Sequence, residues 1–254
     1  LSHKIHSGHA LDFVRYAASV QGNYDLASKS AWTMANRIKD NQIMIMQGQK
    51  RVAAPWQVLK TFAKWDEILE LKPKHTGTPY LNGILSYVKG SAYLAKGNKA
   101  QASQELNKLK QIINLPNVDK YRAGATPVSQ VLKAAAHGLE GEIFMADGKY
   151  LEAIEAFTLA VELEDQNNYT EPPDWPHPMR LYLGSALIAA KKFEEAENVY
   201  RRDLDWNKNN GWSLYGLQQS LKLQGKTEEA ETIYKEFLLA WQQADIELSD
   251  SFMK

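Results

Sequence analysis

The sequence predicts an all-α chain: a right-handed solenoid of about six helical hairpins stacked in sequence order. Three observations predict it. Small and aromatic residues recur in the same relative places along the chain, glycines fall between successive pairs of helical stretches, and the text that breaks the period is loop-like. Self-similarity of this kind is the signature of units that cannot bury a face alone and stack to make a core.

Each unit rests on its own residues. The first is marked by Ala18, Gly22, Tyr24 and Ala27, the second by Leu59, Trp65 and Ile68, and the third by Gly90, Tyr93, Gly97, Ala102 and Leu106. The fourth is the clearest, with Gly141, Phe144, Asp147-Gly148, Tyr150, Ala153, Phe157 and Ala160. Gly184, Leu187, Phe193, Ala196 and Tyr200 mark the fifth, and Leu217, Leu221, Gly225, Ala230, Tyr234 and Phe237 the sixth. With Ala27, Ile68, Ala102, Ala153, Ala196 and Ala230 as one marker per unit, two of the intervals, Ile68 to Ala102 and Ala196 to Ala230, equal the 34 residues of a helix-turn-helix repeat.

The other three intervals are longer, and their extra residues fall at Asp40 to Lys50, Asn114 to Thr126 and Asp165 to Pro178. A solenoid tolerates insertions at such junctions because each unit touches only its neighbours. Gly22, Gly97, Gly148 and Gly225 are expected to end first helices in the left-handed conformation. Thr78-Pro79 and Thr126-Pro127 read as capping hydroxyls ahead of a proline at the first helical position. Ala153, Ala196 and Ala230 are expected to face the first helix of their unit, where close approach needs a small side chain. The whole of 1–254 reads as a single solenoid domain, part of a longer natural protein.

Composition bounds the function. The 254 residues are 44% apolar and 24% charged, with a mean hydropathy of −0.46. No apolar run approaches the ~20 residues that cross a bilayer, so membrane insertion is not expected. Thirty basic residues balance thirty acidic ones, so the field that would draw nucleic acid is missing. There is no cysteine, hence no thiolate nucleophile, disulfide or sulfur-ligated metal.

The helical units resemble the tetratricopeptide repeat (TPR) superfamily over nearly the whole chain. Particular segments also resemble the C-terminal half of large bacterial TPR proteins of unassigned function. These are His6-Ser-Gly-His9 with Phe13 and Tyr16, Trp65-Asp-Glu-Ile-Leu69, Glu171-Pro-Pro-Asp-Trp175 with Pro178 and Arg180, Ala196 to Leu204, and Asn210-Gly-Trp-Ser-Leu-Tyr-Gly216. Pro176-His177 departs from that pattern, which tends to an aromatic pair there. The resemblance implies a soluble protein of the bacterial periplasm or cytoplasm. It also implies an upstream half, often behind a secretion signal; since Leu1 opens without a basic-then-apolar leader, such a segment is expected to have been removed or left out.

No nucleophile elbow, P-loop, dinucleotide fingerprint, zinc-protease or EF-hand motif occurs, so a non-enzyme without cofactor is the favoured reading. Two surfaces are candidates for binding. Helical register points Asp12, Tyr16, Gln57, Lys60, Tyr87, Ser91, Glu142, Met145, Tyr215, Gln219 and Lys222 into the concave groove, a mixed lining suited to a protein or peptide. The loops entering first helices share one rim, and curvature would gather His6, His9, Trp175, His177, Arg180 and Trp212 there, a set suited to an anionic or aromatic group. His6 and His9 lie one turn apart and are the candidates for a metal.

Two readings stay open for Trp175. A rim pocket needs it partly exposed on the concave side, whereas a plug needs it buried between units four and five. The expected function is a scaffold binding a protein or peptide in the groove. The alternative is a small-molecule or metal-binding, even enzymatic, protein with its site at the rim. An uncapped first hairpin exposing Leu11, Phe13 and Val14 would also allow self-association.

Overall fold

The structure is a computed structural model that describes the backbone of residues 2–45 and 47–253 and the side chains of residues 8–253, Met46 excepted. Among the described residues there are twelve α-helices and no strand. They are α1 Ser2–Val20, α2 Tyr24–Asn36, α3 Gly48–Thr61, α4 Trp65–Glu70, α5 Pro79–Ala95, α6 Lys99–Ile113, α7 Val128–Ala146, α8 Tyr150–Asp165, α9 Met179–Ala189, α10 Phe193–Trp206, α11 Gly211–Leu223 and α12 Thr227–Ala240. Odd-numbered helices pair with the even-numbered helix that follows, and each pair packs on the next, so the six hairpins stack as a helical-repeat solenoid.

The repeat register sits where the periodicity placed it. All six marker residues lie in the second helix of their hairpin and are buried. Ala153 and Ala196 have no exposed surface, so Ala153→Leu or Ala196→Leu is expected to force helices apart at a cost of ~1–3 kcal/mol. Urea unfolding checks this; midpoints equal to the parent's would show the register to be wrong.

The four predicted turn glycines all have left-handed φ, from +70° to +77°. Units two and five lack a glycine there, and Ala63 (φ 53°) and Lys191 (φ 61°) adopt the same conformation despite their Cβ. Thr78 caps α5 as expected, its hydroxyl accepting the Leu81 N–H with Pro79 next in line. Thr126 does not cap α7. That helix starts at Val128 with Pro127 in the capping position, and the Thr126 hydroxyl accepts the Asn168 N–H at 3.2 Å instead. The inserted loop after α8 recruits it.

The stack curls until its ends meet. Trp212 Nε1 donates to the Ser19 carbonyl at 2.8 Å, Tyr16 Oη donates to Asn207 Oδ1 at 2.9 Å, and Asn23 Nδ2 donates to the Gln243 carbonyl at 2.7 Å. Asp245, beyond α12, accepts the first N–H groups of α2, from Tyr24 and Asp25, at 2.7 and 2.8 Å. A carboxylate from the last unit thus caps a helix of the first, satisfying donors that a helix start leaves unpaired. The trough expected from the sequence is therefore closed on itself for much of its length, with odd-numbered helices inward.

Three inserted loops converge at one end of this interior. Asp174 Oδ2 accepts the Ala125 and Thr126 N–H groups at 3.1 and 3.0 Å, and Lys50 Nζ donates to Asp174 Oδ1 and to the Pro172 carbonyl at 3.2 and 2.7 Å. Gln49 Nε2 ties the same end to the Arg122 carbonyl at 2.9 Å. A Cβ at position 124 would overlap the Asp174 carboxylate, which is why glycine stands there.

Candidate functional site

Inward-facing residues of the odd-numbered helices build a polar and aromatic interior. From α3, Lys60 reaches Glu142 Oε1 of α7 at 2.9 Å, and Ser91 of α5 donates to the same oxygen at 3.1 Å. The Lys60 ammonium also lies 4.8 and 5.0 Å from the ring centres of Tyr87 and Tyr182. Burial pulls this ammonium down, but the Glu142 carboxylate and Tyr182 together outweigh it and hold the Lys60 pKa above its usual value. One cation therefore ties four first helices, α3, α5, α7 and α9, across the interior.

The aromatic cluster continues from there. Trp175 stacks at a tilt on Tyr87 with ring centres 5.4 Å apart, and His177 meets Tyr182 and Trp212 edge-on at 5.7 and 5.2 Å. Burial, with the Lys60 charge adding to it, pushes His177 down to about 3, so the ring is neutral at physiological pH. Trp175 Nε1 and His177 Nε2 are buried with no hydrogen-bond partner in the protein.

Residues 134–167, from the second turn of α7 through the end of α8, match the tetratricopeptide repeat. The chain is a TPR-type protein. No curated protein matches the chain. In this TPR-type protein the match covers the fourth hairpin, where sequence periodicity was clearest, and the other five hairpins repeat its architecture.

The groove residues of the TPR stack fall into two sets. Asp12, Gln57, Lys60 and Tyr87 are buried, and several of them spend their polar groups inside the protein. Asp12 accepts from Arg15 Nε at 2.9 Å, Lys60 pairs with Glu142, and half-buried Tyr16 bonds Asn207. Lys60 and Tyr16 thereby join different hairpins, while the Asp12–Arg15 pair lies within α1. Tyr215 and Gln219 of α11 keep part of their surface open, as does Met145, while Lys222 is exposed. Closure of the stack, which periodicity does not report, divides the two sets.

The rim set is only partly brought together. Trp175, His177 and Trp212 join through Tyr87 and Tyr182. Trp175 is 4% exposed, against the partial exposure required of a pocket, and its ring meets Tyr87 in unit three. Arg180 turns to Asp165, two bonds at 2.7 and 2.6 Å. His9 is exposed, edge-on to Phe13 at 4.8 Å, and the His6 side chain lies outside the described residues. Among the described residues no three His, Asp or Glu side chains converge as metal ligands. Phe13 and Val14 are exposed on α1, whereas Leu11 packs partly against the core.

Sequence reasoning missed four groups that organise this region: buried Tyr182, Asp174 and Asp203, and half-buried Glu164. Glu164 accepts the Met179 N–H at 2.8 Å, and burial raises it to about 8. Asp203 accepts from Asn207, Asn210 and Ser213, yet burial still raises its pKa. No motif surrounds these carboxylates, and a solvated helix face carries the same letters. Two surface cavities lie outside the interior. One of about 560 Å³ is bounded by Trp32, Trp56, Glu67, Glu70 and residues 71–75, and one of about 510 Å³ by Met44, Gln47, Lys120, Arg122 and Thr170.

Proposed function

We propose that this TPR-type protein is an interaction scaffold that binds a partner protein through an extended peptide on the open part of its concave face, beside α9 and α11. At the coarse level the repeat itself suggests a protein-interaction scaffold. The observation that carries the finer reading is the partial exposure of Tyr215 and Gln219 on an inward-facing helix whose neighbours are otherwise sealed. An aromatic ring with a polar tip beside an amide offers area and hydrogen bonds at little entropic cost, the usual anchor of a peptide interface. We also propose that residues 1–254 act as one solenoid unit, since contacts between first and last hairpins make the open face depend on both ends. Among the described residues no helix is long and apolar enough to cross a membrane.

Tyr215→Ala is the test. Against a partner selected from a displayed peptide library, affinity is expected to fall about tenfold or more, a loss typical of an interface anchor, while circular dichroism stays native and the unfolding midpoint falls only by the lost Tyr215–Phe237 ring contact. Binding indifferent to Tyr215→Ala and to Gln219→Ala would remove the groove from this account.

A further inference from the structure

After α12 ends at Ala240 the described residues form no further helix; the chain turns back and lays residues 249–252 on α9. The contacts are those of a bound peptide. Ser185 Oγ donates to Asp250 Oδ2 at 2.8 Å, Ser251 Oγ donates to the Leu181 carbonyl at 2.8 Å, and the Phe252 ring lies on Tyr182 with centres 4.4 Å apart. Ser251 and Phe252 are 1% and 6% exposed, while Glu247 and Ser249 remain exposed and Leu248 and Met253 lie half-buried. A short, deeply seated core with open flanks is how linear motifs dock.

The host side is built for this contact. Tyr200 belongs to α10, an outer helix, yet its hydroxyl donates to Ser251 Oγ at 2.8 Å on the inner side. It gets there by passing between α9 and α11 where both carry glycine, since a Cβ at Gly184 or at Gly216 would overlap the Tyr200 ring. The phenol is fully buried, so this hydroxyl depends on a partner such as Ser251. Tyr215, the partly open groove residue, feels the Asp250 charge, which with burial raises its pKa. The segment thus lies on α9 beside the α11 surface assigned above to a partner.

We propose that residues 249–252 are an intramolecular ligand, and that the surface formed by Leu181, Tyr182, Ser185 and Tyr200 accepts from a partner protein an extended segment in which an acidic residue, a hydroxyl residue and an aromatic residue follow one another. This rests on the scaffold reading and names its specificity. Tethering gives the segment a high effective concentration, so a partner must bind more tightly than the tethered copy or find it already released.

The test uses the full chain carrying Asp250→Ala and Phe252→Ala, with circular dichroism and unfolding midpoint as fold controls, and a fluorescein-labelled peptide of sequence 246–253. Anisotropy is expected to show the variant binding the peptide at least about tenfold more tightly than the parent, whose site is filled. No binding to the variant at millimolar peptide, or equal binding to both proteins, overturns the proposal. Hydrogen exchange on the unaltered chain gives a second reading. Amides of 248–252 are expected to exchange through an opening well below global unfolding, and exchange as slow as that of α9 would make the segment a permanent wall. Failure of either measurement while a library-selected partner is still lost on Tyr215→Ala would sink the intramolecular ligand and leave the scaffold standing.

Discussion

Lys60→Met is expected to cost roughly 3–5 kcal/mol, because it leaves the Glu142 carboxylate buried without its counter-ion. The pair has 5% and 10% side-chain exposure, and Ser91 alone cannot compensate the anion. The ammonium additionally loses two aromatic faces, Tyr87 and Tyr182, which belong to different hairpins. Glu142→Leu should cost a similar amount by stranding the cation. The double variant Lys60→Met/Glu142→Leu should recover most of the loss, since an apolar pair of similar volume removes both desolvation penalties together. A double-mutant cycle in urea reads the coupling directly. Additive single losses would mean that the pair does not bridge the interior.

Glu164→Gln is expected to stabilise the protein at alkaline pH and flatten its pH dependence. The folded state keeps the Glu164 proton up to about 8, whereas the unfolded chain releases it near ~4.3. Between those values folding takes up a proton, so this group's contribution is complete below the unfolded pKa and is lost as pH rises through the folded one. The slope is about 1.4 kcal/mol per pH unit. Asp203 of α10 raises Glu164 further, the backbone N–H of Met179 and the Arg180 charge of α9 lower it, and Asp165 beside it raises it. Asp203 titrates with the same sign because its own pKa is raised. Glutamine keeps an oxygen for the Met179 N–H and carries no charge. The variant should therefore be more stable at pH 8 by on the order of 3 kcal/mol, after allowing for an amide donor that needs its own acceptor. Urea midpoints at pH 5, 6.5 and 8 decide it; equal slopes in parent and variant would place the titration elsewhere.

Local pattern carried the architecture. The register of six small or apolar residues, four turn glycines and three insertions is a nearest-neighbour property, and in a solenoid nearest neighbours in space are nearest in sequence. That is why Ala27 through Ala230 fall in second helices and are buried, and why the Thr78 cap is legible. Thr126 shows where this stops. Its local text matches that of Thr78, but its hydroxyl goes to Asn168, brought in by an insertion 42 positions away.

The candidate site was less legible for the same reason. Asp12, Gln57, Lys60 and Tyr87, which helical spacing points to the groove, are buried, and Lys60 meets Glu142 rather than open space. Whether an inward residue is a wall or a contact depends on the superhelix closing, and closing depends on pairs such as Trp212 with Ser19 that are 193 positions apart. Arg180 was drawn to Asp165 because a bidentate carboxylate was within reach, not because of where its helix begins.

The sequence by itself determined a chain of helical hairpins, their order and the faces they turn inward, since propensity, capping and periodicity act over a few residues. Tertiary structure alone decided which of those faces stay open. The curvature that seals one part of the interior and lays residues 249–252 over another is the sum of small rotations between successive hairpins, and no single stretch of sequence encodes a sum.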